Sequence, residues 1–146
     1  MRIALGADDS TDVVDAIAEF FESAGHLVAR YGKAAGVDES WGSTGRRVAE
    51  AVAAGEAELG VVCCFTGTGV SMAASKVPGV RAALCVDAET ARGARKWNDA
   101  NVLALSLRLT TAEVAREILR AFLAEPYAGA EDESLAVLGA LDARKP

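Results

Sequence analysis

The stretch LGVVCCFTGTGVSMAAS, residues 59–75, decides the fold of this chain. Its first six residues form a continuous apolar run of strand length, and the turn Gly67-Thr68-Gly69 separates that run from small apolar residues. A continuous apolar strand that leads through glycines into a helix is typical of a βα unit in a parallel sheet covered on both faces.

Similar runs recur along the chain and alternate with helical spacing. Residues 12–23, for example, place Val13, Ile17 and Phe21 on one face, as an amphipathic helix does. We therefore predict an α/β fold in which helices cover both faces of a five-stranded parallel sheet. The predicted strands are residues 2–5, 27–31, 59–64, 81–85 and 102–105. The predicted helices are residues 12–23, 45–54 and 134–143, one that opens at Val70, and one that follows a capping box at residues 110–113. Residues 32–44, rich in glycine, serine and charge, are predicted to form a functional loop.

Composition narrows the class of protein. The 146 residues carry 15 basic and 21 acidic side chains, a net charge of −6, which disfavours nucleic acid and anionic membranes as partners. No apolar run approaches the roughly 20 residues of a membrane span. The three cysteines lie in apolar runs without disulfide-framework spacing. We expect one cytoplasmic domain over residues 1–146, with no nucleic-acid or membrane partner.

Three segments are candidates for the functional site, because α/β sheets bind ligands at the carboxyl ends of their strands. They are residues 7–11, 64–69 and 97–101. The second brings glycines and exposed amides to a helix start, which suits an anion or a developing oxyanion. Cys64 is then either a thiolate base or a small buried hydrophobe, whereas Cys63 and Cys85 are predicted to be buried and inert. Asp8 either bonds hydroxyls or shapes a turn.

One long segment resembles a known family. GTGVSMAASKVPGVRAALC at residues 67–85, WNDANVLAL at 97–105 and Arg108 resemble the ribose-5-phosphate isomerase B and galactose-6-phosphate isomerase (RpiB/LacAB) family. The resemblance extends from residue 6 to residue 129. It implies a Rossmann-like three-layer α/β/α fold and aldose–ketose isomerisation of a small sugar through a cis-enediolate. It also implies no metal or cofactor, and a homodimer or homotetramer with shared active sites.

The resemblance also implies residue roles. Cys64 would be the catalytic base, and Thr66 would shuttle protons between the sugar oxygens. Arg108 would meet the distal end of the substrate. The predicted substrate-binding residues are Asp8, Asp9, Gly67, Thr68, Gly69, Val70, Ser71, Asn98 and Arg108.

Several positions depart from the family pattern. Asp9 and Trp97 stand where the family has histidines, and AEDESL at residues 130–135 replaces its phosphate-binding basic residues. Because carboxylates repel a phosphate, we predict a non-phosphorylated substrate. Trp41, Phe65 and Trp97 either narrow the pocket or are core or interface aromatics. The alternatives are an ordinary type B ribose-5-phosphate isomerase and a catalytically silent sugar-binding or partner subunit.

Overall fold

The computed structural model describes residues 1–143; residues 144–146 of the predicted domain lie outside the described part. It contains a five-stranded parallel sheet in the order β2-β1-β3-β5-β4, so the prediction of a Rossmann-like α/β fold is confirmed. The strands are β1 Arg2–Ala7, β2 Leu27–Gly32, β3 Leu59–Cys64, β4 Ala82–Leu84 and β5 Val102–Ser106.

Six α-helices accompany the sheet among residues 1–143, with a 3-10 turn at Lys33–Ala35. None of these helices has the length and apolar character needed to cross a bilayer. They are α1 Asp12–Ser23, α2 Trp41–Ala53, α3 Thr68–Ser75, α4 Ala88–Asn98, α5 Ala112–Ala124 and α6 Asp132–Asp142.

The sheet separates two apolar layers. On one face, Ile3 and Leu105 pack with Ile17 of α1 and Ile118 of α5. On the other, Val62 packs with Val48 of α2 and Val70 of α3. Both faces of the central strands are therefore covered, which is why their sequences are continuously apolar rather than alternating. Each fully buried valine, leucine or isoleucine contributes about 1.5–3 kcal/mol relative to an exposed one.

Two strand glycines let α2 lie close to the sheet. A Cβ on Gly6 would stand 2.7 Å from methyl groups of Thr44 and Val48, and one on Gly60 would stand 2.8 Å from Val48. Both distances are far inside van der Waals contact. The absence of side chains at these positions therefore fixes the height of α2 above β1 and β3, and so the position of the first turn of α2 near the carboxyl edge.

The main differences between the sequence predictions and the observed elements concern three helices, α4, α2 and α5. α4 was not predicted, because the residues that it buries, Ala91, Gly93 and Ala94, are small and most of its other residues are polar. α2 begins at Trp41, four residues before the predicted start. The predicted capping box is displaced by one residue, since the hydroxyl of Thr111, not Thr110, accepts the N-cap bond from the Val114 amide at 3.2 Å.

Candidate active site

Three strands end side by side at the carboxyl edge of the sheet. The register pairs Ala7 with Cys63 and Cys64 with Ser106, and the amide of Asp8 donates to the carbonyl of Cys63 at 3.3 Å. Asp8 and the segment that begins at Cys64 therefore leave the sheet together. The sequence prediction that residues 7–11 and 64–69 share one edge is confirmed.

We call residues 64–69 the glycine loop. The segment after β5 holds it at two carbonyls. The amide of Leu107 donates to the Cys64 carbonyl at 3.0 Å, and the amide of Arg108 donates to the Phe65 carbonyl at 2.9 Å. The buried hydroxyl of Ser106 donates to the same Phe65 carbonyl at 3.0 Å. Sequence analysis missed Ser106, although a serine at the end of an otherwise apolar strand is a usable signal.

Gly67 turns the chain into α3. It has φ 76°, and a Cβ there would lie 2.6 Å from Leu84 Cδ1 and 2.8 Å from the Leu105 carbonyl carbon. Only glycine fits this turn without strain. The amides that open α3 behind it have no carbonyl in their own helix to bind. The amides of Thr68, Gly69 and Val70 form a cluster of donors beside the end of β3, and a developing oxyanion suits such donors. The predicted donor stretch, residues 67–71, is shorter than expected, because the Ser71 amide donates to the Gly67 carbonyl at 3.3 Å.

The three cysteines differ in their surroundings. Cys64 is the last residue of β3 and the first residue of the glycine loop. Its side chain lies in the apolar layer between the sheet and helices α2 and α3. Cys63 points into the opposite layer, and burial raises the pKa of its thiol far above the ordinary value. Burial, aided by the charge of Asp87, raises the pKa of Cys85 to about 12. Cys63 and Cys85 are therefore thiols at neutral pH, which agrees with the prediction that they are inert.

Polar side chains surround the Cys64 end of β3. The hydroxyls of Thr66 and Thr68 are 2.7 Å apart, so one donates to the other and both are exposed. Asp8 is partly buried. Burial raises the pKa of its carboxyl above the ordinary 3.8, and the charge of Asp9 acts in the same direction. Asp9 is exposed and accepts a bond from the Ser10 amide at 2.8 Å.

Two exposed aromatic side chains are found at the glycine loop: Phe65 belongs to it, and Trp41 contacts it. Phe65 is 63% exposed and Trp41 is 49% exposed. The Trp41 ring lies against Gly69, since a Cβ on that glycine would stand 2.9 Å from Trp41 Cδ2 and Cε3. The guanidinium carbon of Arg108 lies 5.9 Å from the centroid of the Phe65 ring. Neither aromatic is a core residue.

Asn98 does not join these residues within one chain. Trp97 and Asn98 end α4 and precede β5, so they lie at the amino edge of the sheet. β5 has five residues, which separates the two edges by about 17 Å. The prediction that residues 97–101 share the carboxyl edge is wrong for a single chain, because this segment enters its strand instead of leaving it.

The end of α4 is nevertheless firmly held. Asp99 adopts φ 44°, the left-handed region. Its carboxylate accepts a bond from Arg81 Nη2 at 2.8 Å and lies 3.6 Å from Arg95 Nη1. These two arginines fix the backbone next to Asn98, and sequence analysis gave no indication of them.

The acidic segment starts α6. The hydroxyl of Tyr127 donates to Asp132 at 2.8 Å and accepts from the Glu131 amide at 3.0 Å. No residue of α6 is buried, although Val137, Leu138 and Leu141 are large apolar side chains. At its other end, Asp142 accepts a bond from the Gly79 amide at 2.8 Å. α6 therefore stands beside the β4 edge with its apolar side chains uncovered.

Comparison with known proteins assigns the chain and its fold to one family. Residues 3–136 match the sequence profile described as Ribose/Galactose Isomerase. The chain belongs to this family. The galactose-6-phosphate isomerase subunit LacB of Clostridium acetobutylicum is 41% identical over 128 residues, which are 87% of this chain and 74% of the relative. The D-erythrulose-4-phosphate isomerase of Pectobacterium atrosepticum is 34% identical over 88% of this chain and 86% of the relative.

Solved structures of the family share the architecture. The ribose-5-phosphate isomerase B of Clostridium thermocellum superposes with a TM-score of 0.91 at 36% identity and covers 97% of both chains. The predicted membership is therefore confirmed, and the protein is an aldose–ketose isomerase. Among residues 1–143, no three His, Cys, Asp or Glu side chains are grouped as metal ligands would be.

Proposed function

We propose that the protein interconverts an aldose and a ketose through a cis-enediolate, with the Cys64 thiolate as the base. The observation that carries this proposal is the position of Cys64 at the end of β3, where it begins the glycine loop that leads to the free amides of α3. The positive end of a helix favours a thiolate or an oxyanion beside it. The two remaining thiols are held protonated in the core.

The reaction balances without a co-reactant. The Cys64 thiolate removes the proton from C2 of the aldose, and the electron pair becomes the C1–C2 double bond of the enediolate. The α3 amides stabilise the negative oxygen. Thr66, whose hydroxyl is coupled to that of Thr68, passes the proton of the C2 hydroxyl to the oxygen on C1. The thiol then returns its proton to C1, which leaves a carbonyl at C2.

Other parts of the site hold the substrate in this proposal. Asp8 and Asp9 accept bonds from sugar hydroxyls, while Arg108 stands at the distal end. Asn98 is supplied by a neighbouring chain, because its own chain keeps it at the opposite edge of the sheet. Thr68, Gly69 and Val70, at the start of α3, supply backbone donors.

We propose a small non-phosphorylated sugar or sugar derivative as the substrate. Glu131, Asp132 and Glu133 occupy the segment that resembles the family's phosphate-binding stretch, and Asp9 adds a further carboxylate at the carboxyl edge. Carboxylates near a phosphate raise its free energy of binding by roughly 1 kcal/mol each in water, and by more where water is excluded.

A pentose phosphate is the second candidate substrate. One observation favours it: Arg108 is exposed and, within the described residues, forms no ion pair, its nearest aromatic neighbour being the Phe65 ring. An arginine without a carboxylate partner suits a phosphate. The relatives named above are also isomerases of phosphorylated sugars by name. A silent sugar-binding subunit is a weaker candidate, because Cys64, Thr66 and the glycine loop are all retained.

We propose a homodimer or homotetramer with shared active sites. The uncovered leucines of α6 support association, since no part of the described chain buries them. A dimer would also give Asn98 a site to enter. The cysteines are free thiols, which supports a reducing compartment such as the cytoplasm.

A hydrogen-exchange screen tests the proposed function. D-ribose, D-erythrose, D-glucosamine, D-glucuronate and D-ribose 5-phosphate are incubated with the protein in deuterated water. Deuterium is then measured at the carbon next to the carbonyl, and the matching ketose is quantified. We expect Cys64-dependent label and product with a non-phosphorylated sugar. Efficient turnover of D-ribose 5-phosphate alone would decide for the second candidate. Binding without label or product would decide for the silent subunit.

A further inference from the structure

The glycine loop is associated with two exposed aromatic rings. Trp41 contacts its last residue, Gly69, while Phe65 is its second residue. Along the chain, the exposed Thr66 and Thr68, whose hydroxyls bond to each other, lie between Phe65 and Gly69. Exposed aromatic rings beside a few polar groups are the composition of many small-molecule sites, where apolar walls bind and polar groups orient.

Trp41 is exposed, and hydrogen bonds hold the two residues before it in the sequence. It is the first residue of α2, whose N-cap is Ser40, and the Ser40 hydroxyl accepts from the Ser43 amide at 3.2 Å. The preceding residue, Glu39, is fixed by Arg47 at 3.2 Å and by the buried Thr44 hydroxyl at 3.3 Å. The backbone that carries the indole is therefore anchored before a ligand arrives, which lowers the entropic cost of binding.

Gly69 allows the ring to take this position. A Cβ there would stand 2.9 Å from the indole, so any other residue would push the ring away from the loop. The contact places an aromatic surface next to the amides that open α3. About half of Trp41 stays in contact with solvent, at an edge where the proposed chemistry needs a small sugar to lie.

We propose that Trp41, together with Phe65, forms an aromatic wall that binds the C–H face of the substrate's carbon chain and determines specificity. This inference rests on the proposed isomerase site at the glycine loop. A sugar has hydroxyls on its edges and C–H groups on its faces. The hydroxyls bond to Thr66, Thr68 and Asp8, while the C–H groups lie on the uncharged face of the indole.

Fluorescence of Trp41 tests the contact directly. The chain has two tryptophans, so the Trp97→Phe protein reports Trp41 alone. Ribitol and ribitol 5-phosphate, which cannot be isomerised, are titrated into it, and emission and acrylamide quenching are recorded. We expect the emission to shift and quenching to fall with ribitol. Unchanged emission with both polyols overturns the proposal.

Kinetics separate substrate binding from a merely structural role. Trp41→Ala is expected to raise KM about tenfold for the best sugar of the exchange screen, with kcat changed less than about threefold, because the ring binds substrate and transition state alike. Trp41→Phe should restore KM. Trp41→Leu keeps apolar bulk without an aromatic face and is expected to behave like Trp41→Ala; a normal KM in Trp41→Leu contradicts the proposal.

Matched measurements make the two levels of inference distinguishable. Leu27→Ala truncates another exposed apolar side chain, 71% exposed at the amino end of β2, and should leave KM unchanged. If Cys64→Ala keeps full turnover, the proposed base is wrong, but a Trp41 response to ribitol still supports the aromatic wall. If Cys64→Ala loses turnover while Trp41 emission stays constant, only the aromatic wall is wrong.

Discussion

The glycine loop and α6 are built on opposite principles. The glycine loop is completed by its own chain: Ser106 at the end of β5 and the two residues after it bond to its carbonyls, and Gly67 fits between Leu84 and Leu105. α6 has leucines at 44% and 49% exposure and no buried residue. The glycine loop therefore has its contacts within the chain, whereas α6 keeps exposed apolar surface.

This difference separates chemistry from assembly. The base and the oxyanion donors of the proposed reaction come from a rigid edge that one chain can form. Asn98, by contrast, lies at the end of α4, at the opposite edge of the sheet, and the acidic residues 131–133 lie at the start of α6. Changes at the glycine loop should therefore act on kcat, while changes at α6 should act on association and on substrate choice.

The largest expected effect is at Cys64. Cys64→Ala removes the proposed base, and loss of a general base typically lowers the rate 10²–10⁴-fold. We expect that loss in kcat, measured with the best sugar of the exchange screen. Circular dichroism should show the native fold, because alanine fits a site for a small buried side chain.

Cys63→Ala is the matched control for Cys64. It truncates the neighbouring thiol, which faces the other layer of the sheet, and should leave kcat within about threefold of the unchanged protein. Iodoacetamide should label Cys64 faster than Cys63 or Cys85. Equal loss of activity in both alanine variants would show that packing, not base chemistry, is being measured.

The second effect concerns phosphate and tests whether α6 sets substrate choice. If Glu131, Asp132 and Glu133 line a neighbour's site, kcat/KM for D-ribose 5-phosphate should be about 100-fold below that for the best non-phosphorylated sugar, roughly 2.7 kcal/mol. Replacing all three by their amides should narrow this ratio. The same change should not alter turnover of the neutral sugar.

If the amide substitutions leave the ratio of the two kcat/KM values unchanged, the acidic residues do not line the substrate site and lie in solvent. They would then act only on the helix dipole at the start of α6. Arg108→Gln completes the pair of tests, because it should lower turnover of a phosphorylated sugar more than turnover of a neutral one. The opposite order would contradict the placement of Arg108 at the distal end.

The third effect concerns association through α6. Leu138→Ala removes part of an apolar side chain that is 44% exposed in the single chain and would be covered in an oligomer, and we expect the dimer dissociation constant to rise about tenfold. Light scattering across a dilution series measures it. Leu27→Ala, on the far edge of the sheet, should have no effect. A protein that is monomeric before any substitution would contradict the proposed assembly.

The sequence predicts the fold well because each strand has a clear sequence signal. Buried parallel strands require continuous apolar runs, and all five lie within a few residues of their predicted positions. α4 was not predicted, because its buried residues, Ala91, Gly93 and Ala94, are small and do not form the run of large apolar side chains that marks the other helices. Its N-cap was nevertheless readable: Asp87 accepts from the Thr90 amide at 2.7 Å.

The candidate site was only partly predictable. Loops 7–11 and 64–69 could be placed at one edge, because parallel topology brings strand ends together. The position of Asn98 could not be predicted. Placing it at the amino edge of the sheet requires knowing that α4 ends at Asn98 and precedes β5. The contact between Trp41 and Gly69 is long-range in sequence and leaves no local pattern. The same holds for the bond from Ser106 to the Phe65 carbonyl.

The smallest expected effect tests whether the carboxyl edge of the sheet keeps its function at the expense of stability. Burial raises the pKa of Asp8 above its ordinary 3.8, so the folded protein binds this proton more tightly than the unfolded chain does. The stability contributed by the protonated form is present below the ordinary pKa and is lost as pH rises through the folded pKa. Asp8→Asn should therefore raise the free energy of unfolding at neutral pH, by less than about 1 kcal/mol for a partly solvated group.

The difference should vanish at about pH 3, where both states of the unchanged protein are protonated. Denaturant unfolding at the two pH values measures it, with Glu56→Gln as the control, since it removes one exposed charge far from the site. The same Asp8→Asn protein should bind ribitol more weakly, because an amide replaces one carboxylate acceptor by a donor. A variant that is less stable at neutral pH and binds ribitol normally would show that Asp8 serves only the turn after β1.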